Sequence, residues 1–160
     1  AWHHDKKHQL ELATGQIGEI RVLLAKPQTF MNNSGDAIRS LSDYLKILPS
    51  HMLVIHDELD IQFGVIKTKF GGGTAGHNGL KSIVKHLGED FSRVRIGIAN
   101  EHTDHTDSAD FVLSKFSHDE QESTSLLIRE ASAIAEEWLV GPLEIPTETR
   151  TVLYIEPQDL

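Results

Sequence analysis

An α/β layered domain is the fold class that the sequence predicts, and three observations carry that prediction. Strand-patterned segments alternate with helix-patterned ones along the chain. The segment Met52–Ile55 is continuously apolar, as a strand buried on both faces would be. The 160 residues are enough to bury a substantial core. The expected architecture is a single layered domain over residues 1–141, followed by a C-terminal tail over 142–160. Its core is expected to be a twisted, mixed and mostly parallel sheet flanked by helices.

The elements follow in order. Leu10–Ala13 and Ile20–Ala25 read as strands joined by a turn around Gly15–Gly18. Ala37, Ile38, Leu41, Tyr44, Leu45 and Leu48 recur at helical spacing, which predicts an amphipathic helix over about 35–48. Ser34 is its expected N-cap and Pro49 its stop. Val65–Phe70 alternates apolar and basic residues, predicting a strand with one wet face. The glycine-rich loop Gly71–Gly76 leads into a short helix through Leu80, Ile83, Val84 and Leu87, which Gly88 ends. Val94–Ala99 is a further strand, and Glu101–Ser108 is a polar loop. Ser117 and Glu120 have the spacing of a capping box ahead of a long helix. Leu127, Ala131, Ile134, Ala135 and Trp138 line the inner face of that helix, and Gly141 ends it. The apolar run Val152–Ile155 reads as an edge strand or as part of the tail.

Composition excludes several classes. Hydrophobic residues make up 39% and charged residues 24%, a globular balance that excludes wholesale disorder. No apolar run approaches the roughly 20 residues of a membrane helix. The polar opening AWHHDKKHQLEL has no secretory apolar region. Cysteine is absent, which excludes disulfides, thiol catalysis and zinc–thiolate sites and fits an intracellular compartment. A net charge of −9 argues against a nucleic-acid partner only until its distribution is read. Residues 61–100 hold six basic and two acidic side chains, whereas residues 117–160 hold two and ten. A basic segment of this kind can hold a phosphate while the acidic remainder limits non-specific binding.

Three constellations can carry chemistry. Phe30-Met31-Asn32-Asn33-Ser34-Gly35 joins a strand to a helix, and an Asn there offers a donor and an acceptor for an amide or a ribose. An ordinary strand-to-helix turn is the alternative. His56-Asp57-Glu58-Leu59-Asp60 follows a strand, where a carboxylate can orient a histidine acting as general base. Neighbours on a strand face opposite sides, so His56 is not the expected partner of Asp57. An acid-rich turn is the alternative here. Third, Lys67-Thr68-Lys69 precedes the loop that ends in Gly76-His77-Asn78-Gly79. Glycines before a helix let backbone N–H groups approach an anion. Lys67 and Lys69 share a strand face, and Arg93 and Arg95 repeat the spacing. Gly71-x-Gly73-x-x-Gly76 also outlines a dinucleotide-binding turn, which keeps that class open. The His3, His4, His8 group and the His102, Asp104, His105, Asp107 group lack a closed four-ligand pattern and read as solvated loops, so no metal site is expected.

Taken together, Lys26-Pro27-Gln28-Thr29-Phe30-Met31-Asn32-Asn33-Ser34-Gly35, His56-Asp57-Glu58-Leu59-Asp60, Gly71 through Leu80 and Arg93-Val94-Arg95-Ile96-Gly97-Ile98 closely resemble the bacterial-type peptidyl-tRNA hydrolases. The resemblance runs from about residue 8 to about residue 139. It implies hydrolysis of the ester between a peptide and the 3′ ribose of its tRNA, with no metal or organic cofactor. It implies a cytoplasmic monomer whose partner is the acceptor end of peptidyl-tRNA, with no membrane involved. Asp57 matches the aspartate that orients the catalytic histidine. Met31, Asn32 and Asn78 match residues that hold the substrate, with His77 beside them. Lys67, Lys69 and Arg95 match residues that clamp a tRNA phosphate. The family's opening strand, and the threonine–arginine–histidine–asparagine segment carrying its catalytic histidine, have no counterpart here. The expected fold therefore lacks the family's first strand and helix, and the chain itself is expected to be short of its base. His77 is the nearest substitute by sequence. A tRNA-binding module without catalysis is the alternative function, followed by a dinucleotide-binding domain.

Overall fold

Leu10 and Leu12, two residues apart on a strand, face the same side and begin the first core. In the computed structural model, which describes residues 1–153, β1 (His3–Asp5), β2 (Leu10–Ile17) and β3 (Ile20–Pro27) form an antiparallel sheet in the order β1-β2-β3. Both expected strands run further than their apolar residues suggested. Gly15 does not break β2 but pairs with Val22, and the turn shrinks to Gly18-Glu19 between the paired Ile17 and Ile20. Gly18 supplies the positive φ, +58°, that so tight a hairpin needs.

Two helices belong to the same unit, which comprises Ala1–Met52 and Gly72–Asp90. The first, α1 (Ser34–Leu45), buries Ala37 and Leu41 against Leu10 and Leu12, with Ile38 and Leu23 at the margin. Burial of each leucine contributes about 1.5–3 kcal/mol. The helix is shorter than its periodicity implied: Lys46 turns left-handed at φ 56°, and Tyr44, Leu45 and Leu48 are exposed. Ser34 is not the N-cap. It is the first helical residue, and its hydroxyl donates to Met31 O at 2.8 Å, closing a 3-10 turn over Met31–Asn33. The second helix, α2 (Asn78–Leu87), ends at Gly88 as expected. His8 is buried rather than solvated: its Nδ1 lies 2.7 Å from Asp5 Oδ2, and its ring packs on Tyr44. The His8 hydrogen bond holds the Asp5 carboxyl below its ordinary range.

The second unit comprises Leu53–Gly71 and the chain from Phe91 onward. Its sheet has the order β4-β6-β5-β7, with β4 (Leu53–Gln62), β5 (Val65–Phe70), β6 (Ser92–Ala99) and β7 (Glu148–Thr151). The sheet is mixed, but the mostly parallel expectation is corrected. Among the described residues only β4 and β6 pair in parallel, while β5 is antiparallel to both β6 and β7, and a separate antiparallel sheet serves the first unit. The apolar segment at 52–55 misled in two ways. The strand continues to Gln62, so the acidic cluster lies within it, and Ile55 is 49% exposed. After a short α3 (Ser108–Leu113), α4 (His118–Val140) carries the expected capping box, with Ser117 accepting from Glu120 N and Glu120 accepting from Ser117 N. Leu127, Ala131 and Ile134 pack on Phe63, Ile66, Val94 and Ile145, with Trp138 alongside. No helix of the described residues is long and apolar enough to cross a membrane.

The segment after Gly141, expected as a tail, is tied to the sheet by two buried hydroxyls. Ser92 Oγ donates to Leu143 O at 2.8 Å and accepts from Ile145 N at 3.1 Å. Thr68 Oγ1 donates to Pro146 O at 2.6 Å and accepts from Glu148 N at 3.2 Å. The edge strand is thus Glu148–Thr151; Val152 and Leu153 follow it, and the rest of the apolar run lies outside the described residues. Arg150 of β7 bonds Glu130 and Glu137 of α4 at 2.7 and 2.6 Å.

Two predictions test this docking. Ser92→Ala leaves Leu143 O and Ile145 N without their shared partner and is expected to lower unfolding stability by about 1–3 kcal/mol in urea titration. Hydrogen bonding to Arg150 holds the Glu137 carboxyl below its ordinary 4.5 and the Arg150 guanidinium above its own ordinary value. The stabilisation is therefore complete above pH 4.5 and is lost as pH falls through the lower, folded-state value. Thermal melts between neutral pH and that acid range should show a shallower acid decline for Arg150→Gln than for the unmodified chain.

Candidate functional site

The predicted site residues fall into two groups, one in each unit. In the first unit, the structure brings Met31, Asn32, His77 and Asn78 together. Asn32 and Asn33 close the 3-10 turn before α1, and Asn78 opens α2. The starts of the helices meet because Gly35 lies against Ser82: Gly35 N donates to Ser82 Oγ at 2.9 Å, and a Cβ on Gly35 would stand 2.1 Å from Ser82 O. Met31 Sδ lies against Gly79, where a Cβ would approach it to 2.6 Å. His77 is the N-cap of α2, its Nδ1 accepting from Leu80 N at 3.2 Å. That ring nitrogen is therefore committed to holding the helix.

These contacts leave an open cleft of about 330 Å³, walled by Asn32, Asn33 and Asp36 on one side and Asn78, Lys81 and Lys85 on the other. Three of these six, Asp36, Lys81 and Lys85, were not singled out from the sequence. Their signal was available, since Asn78, Lys81, Ser82 and Lys85 follow helical spacing. At the rim, His86 Nε2 meets Asp36 Oδ1 at 2.6 Å while its Nδ1 lies 2.8 Å from Ser82 O. The pair ties α1 to α2, and Arg39 Nη1 adds a donation to His86 O at 2.6 Å.

In the second unit, strand register sorts the remaining residues by face. Lys67 stands opposite Arg95, and Lys69 opposite Arg93, across the β5–β6 ladder. His56 is in register with Arg95 on the β4 side, whereas Asp57 aligns with Ile96. Alternation therefore places Lys67, Lys69 and Arg95 on one sheet face, and Asp57 on the face that also holds Ile66 and Val94. His56 and Asp57 diverge as expected: His56 is buried, and its Nδ1 donates to the Asp57 backbone carbonyl at 2.7 Å. Like charges directly opposite one another destabilise a sheet. Glu58, only 3% exposed, offsets this by lying 3.5 Å from Arg95 Nε. Arg93 is fully buried, with its guanidinium over the Phe91 ring. The basic face thus presents Lys67, Lys69 and Arg95 as partly exposed residues, with Arg93 buried.

With this geometry in hand, comparison with known proteins is direct. Residues 1–151 match the family model described as peptidyl-tRNA hydrolase. The chain is 51% identical over 109 residues to the peptidyl-tRNA hydrolase of Pelagibacter ubique, covering 68% of this chain and 58% of that protein. It is 46% identical over 123 residues to that of Paracoccus denitrificans, covering 77% and 52% respectively. A crystal structure of peptidyl-tRNA hydrolase in complex with N-propanol superposes with a TM-score of 0.82 at 36% identity, over 89% of this chain and 72% of that one. The chain belongs to the peptidyl-tRNA hydrolase family. It spans little more than half the length of the two curated relatives named above.

The meeting of α1 and α2 yields a prediction. Gly35→Ala drives a methyl group into backbone that no side-chain rotation can clear. It is expected to cost at least about 3 kcal/mol in urea unfolding. A variant of unchanged stability would mean that the helices do not approach this closely.

Proposed function

We propose that this chain serves hydrolysis of the ester that joins a peptide to the 3′ ribose of tRNA, recycling stalled peptidyl-tRNA as a cytoplasmic monomer. The observation that carries this reading is the convergence of Asn32 and Asn78 on one cleft, with Met31 against the neighbouring Gly79, in a chain of this family. Exposed amides next to a thioether suit a substrate that offers peptide groups and ribose hydroxyls. In ester hydrolysis a general base takes a proton from water, the resulting hydroxide adds to the ester carbonyl, and the 3′ oxygen leaves with a proton. Asp57 is assigned the orientation of the histidine base, and Lys67, Lys69 and Arg95 the grip on a phosphate.

One observation favours a second reading, a tRNA-binding module without turnover. Nδ1 of His77, beside Asn78, accepts from Leu80 N at 3.2 Å and is occupied as a helix cap.

Single-turnover hydrolysis of a labelled peptidyl-tRNA, run beside salt-dependent binding, separates the two. Under the enzymatic reading Asp57→Asn lowers the rate by about a hundredfold or more. Asn78→Ala weakens binding by about tenfold. Lys67→Ala with Lys69→Ala flattens the salt slope by about one for each phosphate no longer neutralised. Salt-sensitive binding without turnover assigns the second reading. Neither binding nor turnover by the folded chain rejects both.

A further inference from the structure

Glu58 of β4 carries a carboxylate that the fold takes almost wholly out of water, at 3% exposure. Burial of a charged carboxylate is costly unless a cation faces it. Opposite Glu58 in the β4–β6 register stands Gly97, which offers it no side chain. The cation that the structure gives it is Arg95, two residues back on the same face of β6, with Nε 3.5 Å from Oε2. On the other side of β6, Arg95 stands opposite Lys67, and Lys69 is the next residue of β5 on that face. The guanidinium is therefore drawn to a carboxylate on one side and repelled by ammonium groups on the other. The pair with Glu58 acts through charge, since Nε makes no hydrogen bond among the described residues. The Arg95 side chain has no other ion pair or hydrogen bond among them. A guanidinium held at Nε keeps its two terminal nitrogens for the oxygens of an anion.

We infer that Glu58 is a positioning residue for the phosphate grip: it holds the Arg95 guanidinium beside Lys67 and Lys69 before any ligand arrives. The inference rests on the functional reading above, which gives those three cations that grip. Like charges resist gathering at one place, so an empty phosphate site tends to splay its own cations. Glu58 is buried, whereas Lys67, Lys69 and Arg95 are partly exposed. Its negative charge thus lies on the protein side of the cluster, where it offsets their repulsion, and three cations against one carboxylate leave the face positive. A side chain already held in place also gives up less freedom when it binds. Simple electrostatics predicts the opposite effect of Glu58. A carboxylate near a phosphate site repels the phosphate, so its removal would tighten binding. Positioning reverses that sign.

The test is equilibrium binding of unacylated tRNA across a salt series, arranged as a double-mutant cycle between positions 58 and 95. Glu58→Gln keeps the shape of the side chain and removes its charge. It is expected to weaken binding roughly fivefold, although a negative charge has been taken away. Its salt slope should fall toward that of Arg95→Ala, by up to about one. Added to Arg95→Ala, the same substitution should cost little more, because the residue that it acts through is gone. A second measurement needs no substitution at position 58. Nitrogen NMR relaxation of the Arg95 Nε–H group in the unmodified, RNA-free protein, assigned by its loss in Arg95→Ala, should be that of an ordered side chain. Three results would overturn the inference: a Glu58→Gln protein, shown by its thermal melt to be folded, that binds as tightly as the unmodified one or tighter; an undiminished loss on top of Arg95→Ala; or an Arg95 Nε–H that reorients freely. In each case, binding by the unmodified chain leaves the functional reading standing. If the unmodified chain does not bind tRNA, that reading fails and the role of Glu58 fails with it.

Discussion

The contact between Gly35 and Ser82 governs the first unit. With a hydrogen atom in place of a side chain, α1 comes close enough for its backbone to bond the Ser82 hydroxyl. The consequences propagate along both helices. Asn32 and Asn33 precede the contact by a few residues, Asn78 opens the opposing helix one turn away, and Met31 lies against Gly79. A larger residue at 35 would separate the helices and widen the cleft. The exposed amides are thus positioned by a buried contact that contains no functional group of the site.

The second unit sorts its chemistry by the pleat of one sheet. The face bearing Ile66, Val94 and Ile96 takes the apolar stripe of α4. The other face collects His56, Glu58, Arg93, Arg95, Lys67 and Lys69. So many basic groups side by side would repel one another, and the buried Glu58 beside Arg95 and the aromatic ring beneath Arg93 reduce that cost. Ser92 and Thr68 work in a common way: each uses one buried hydroxyl as donor and acceptor to fasten a segment far away in sequence.

Elements with strong local patterning were legible in advance. The β5 limits, the capping box of α4, its buried stripe and the Gly88 stop all come from residues acting on near neighbours. The misreadings share a cause. Leu48 fits a helical period, but the chain turns left-handed at Lys46 before it can be buried. The acidic cluster looked like a turn because Glu58 on a strand requires a cation across the ladder, which pattern alone does not reveal. The six-residue α3, without a buried residue, left no apolar period to read.

The sequence by itself determined the α/β class, the order of most elements and the motifs that place the chain in its family, because these depend on local spacing and on residue types kept in register. Only the tertiary structure decided which strands pair in parallel, that Arg95 is held by Glu58, and that Asp36, Lys81 and Lys85 line one cleft with the asparagines. These features depend on contacts between residues distant in the chain. Such contacts follow from how closely two backbones approach, and a one-dimensional pattern does not encode that distance.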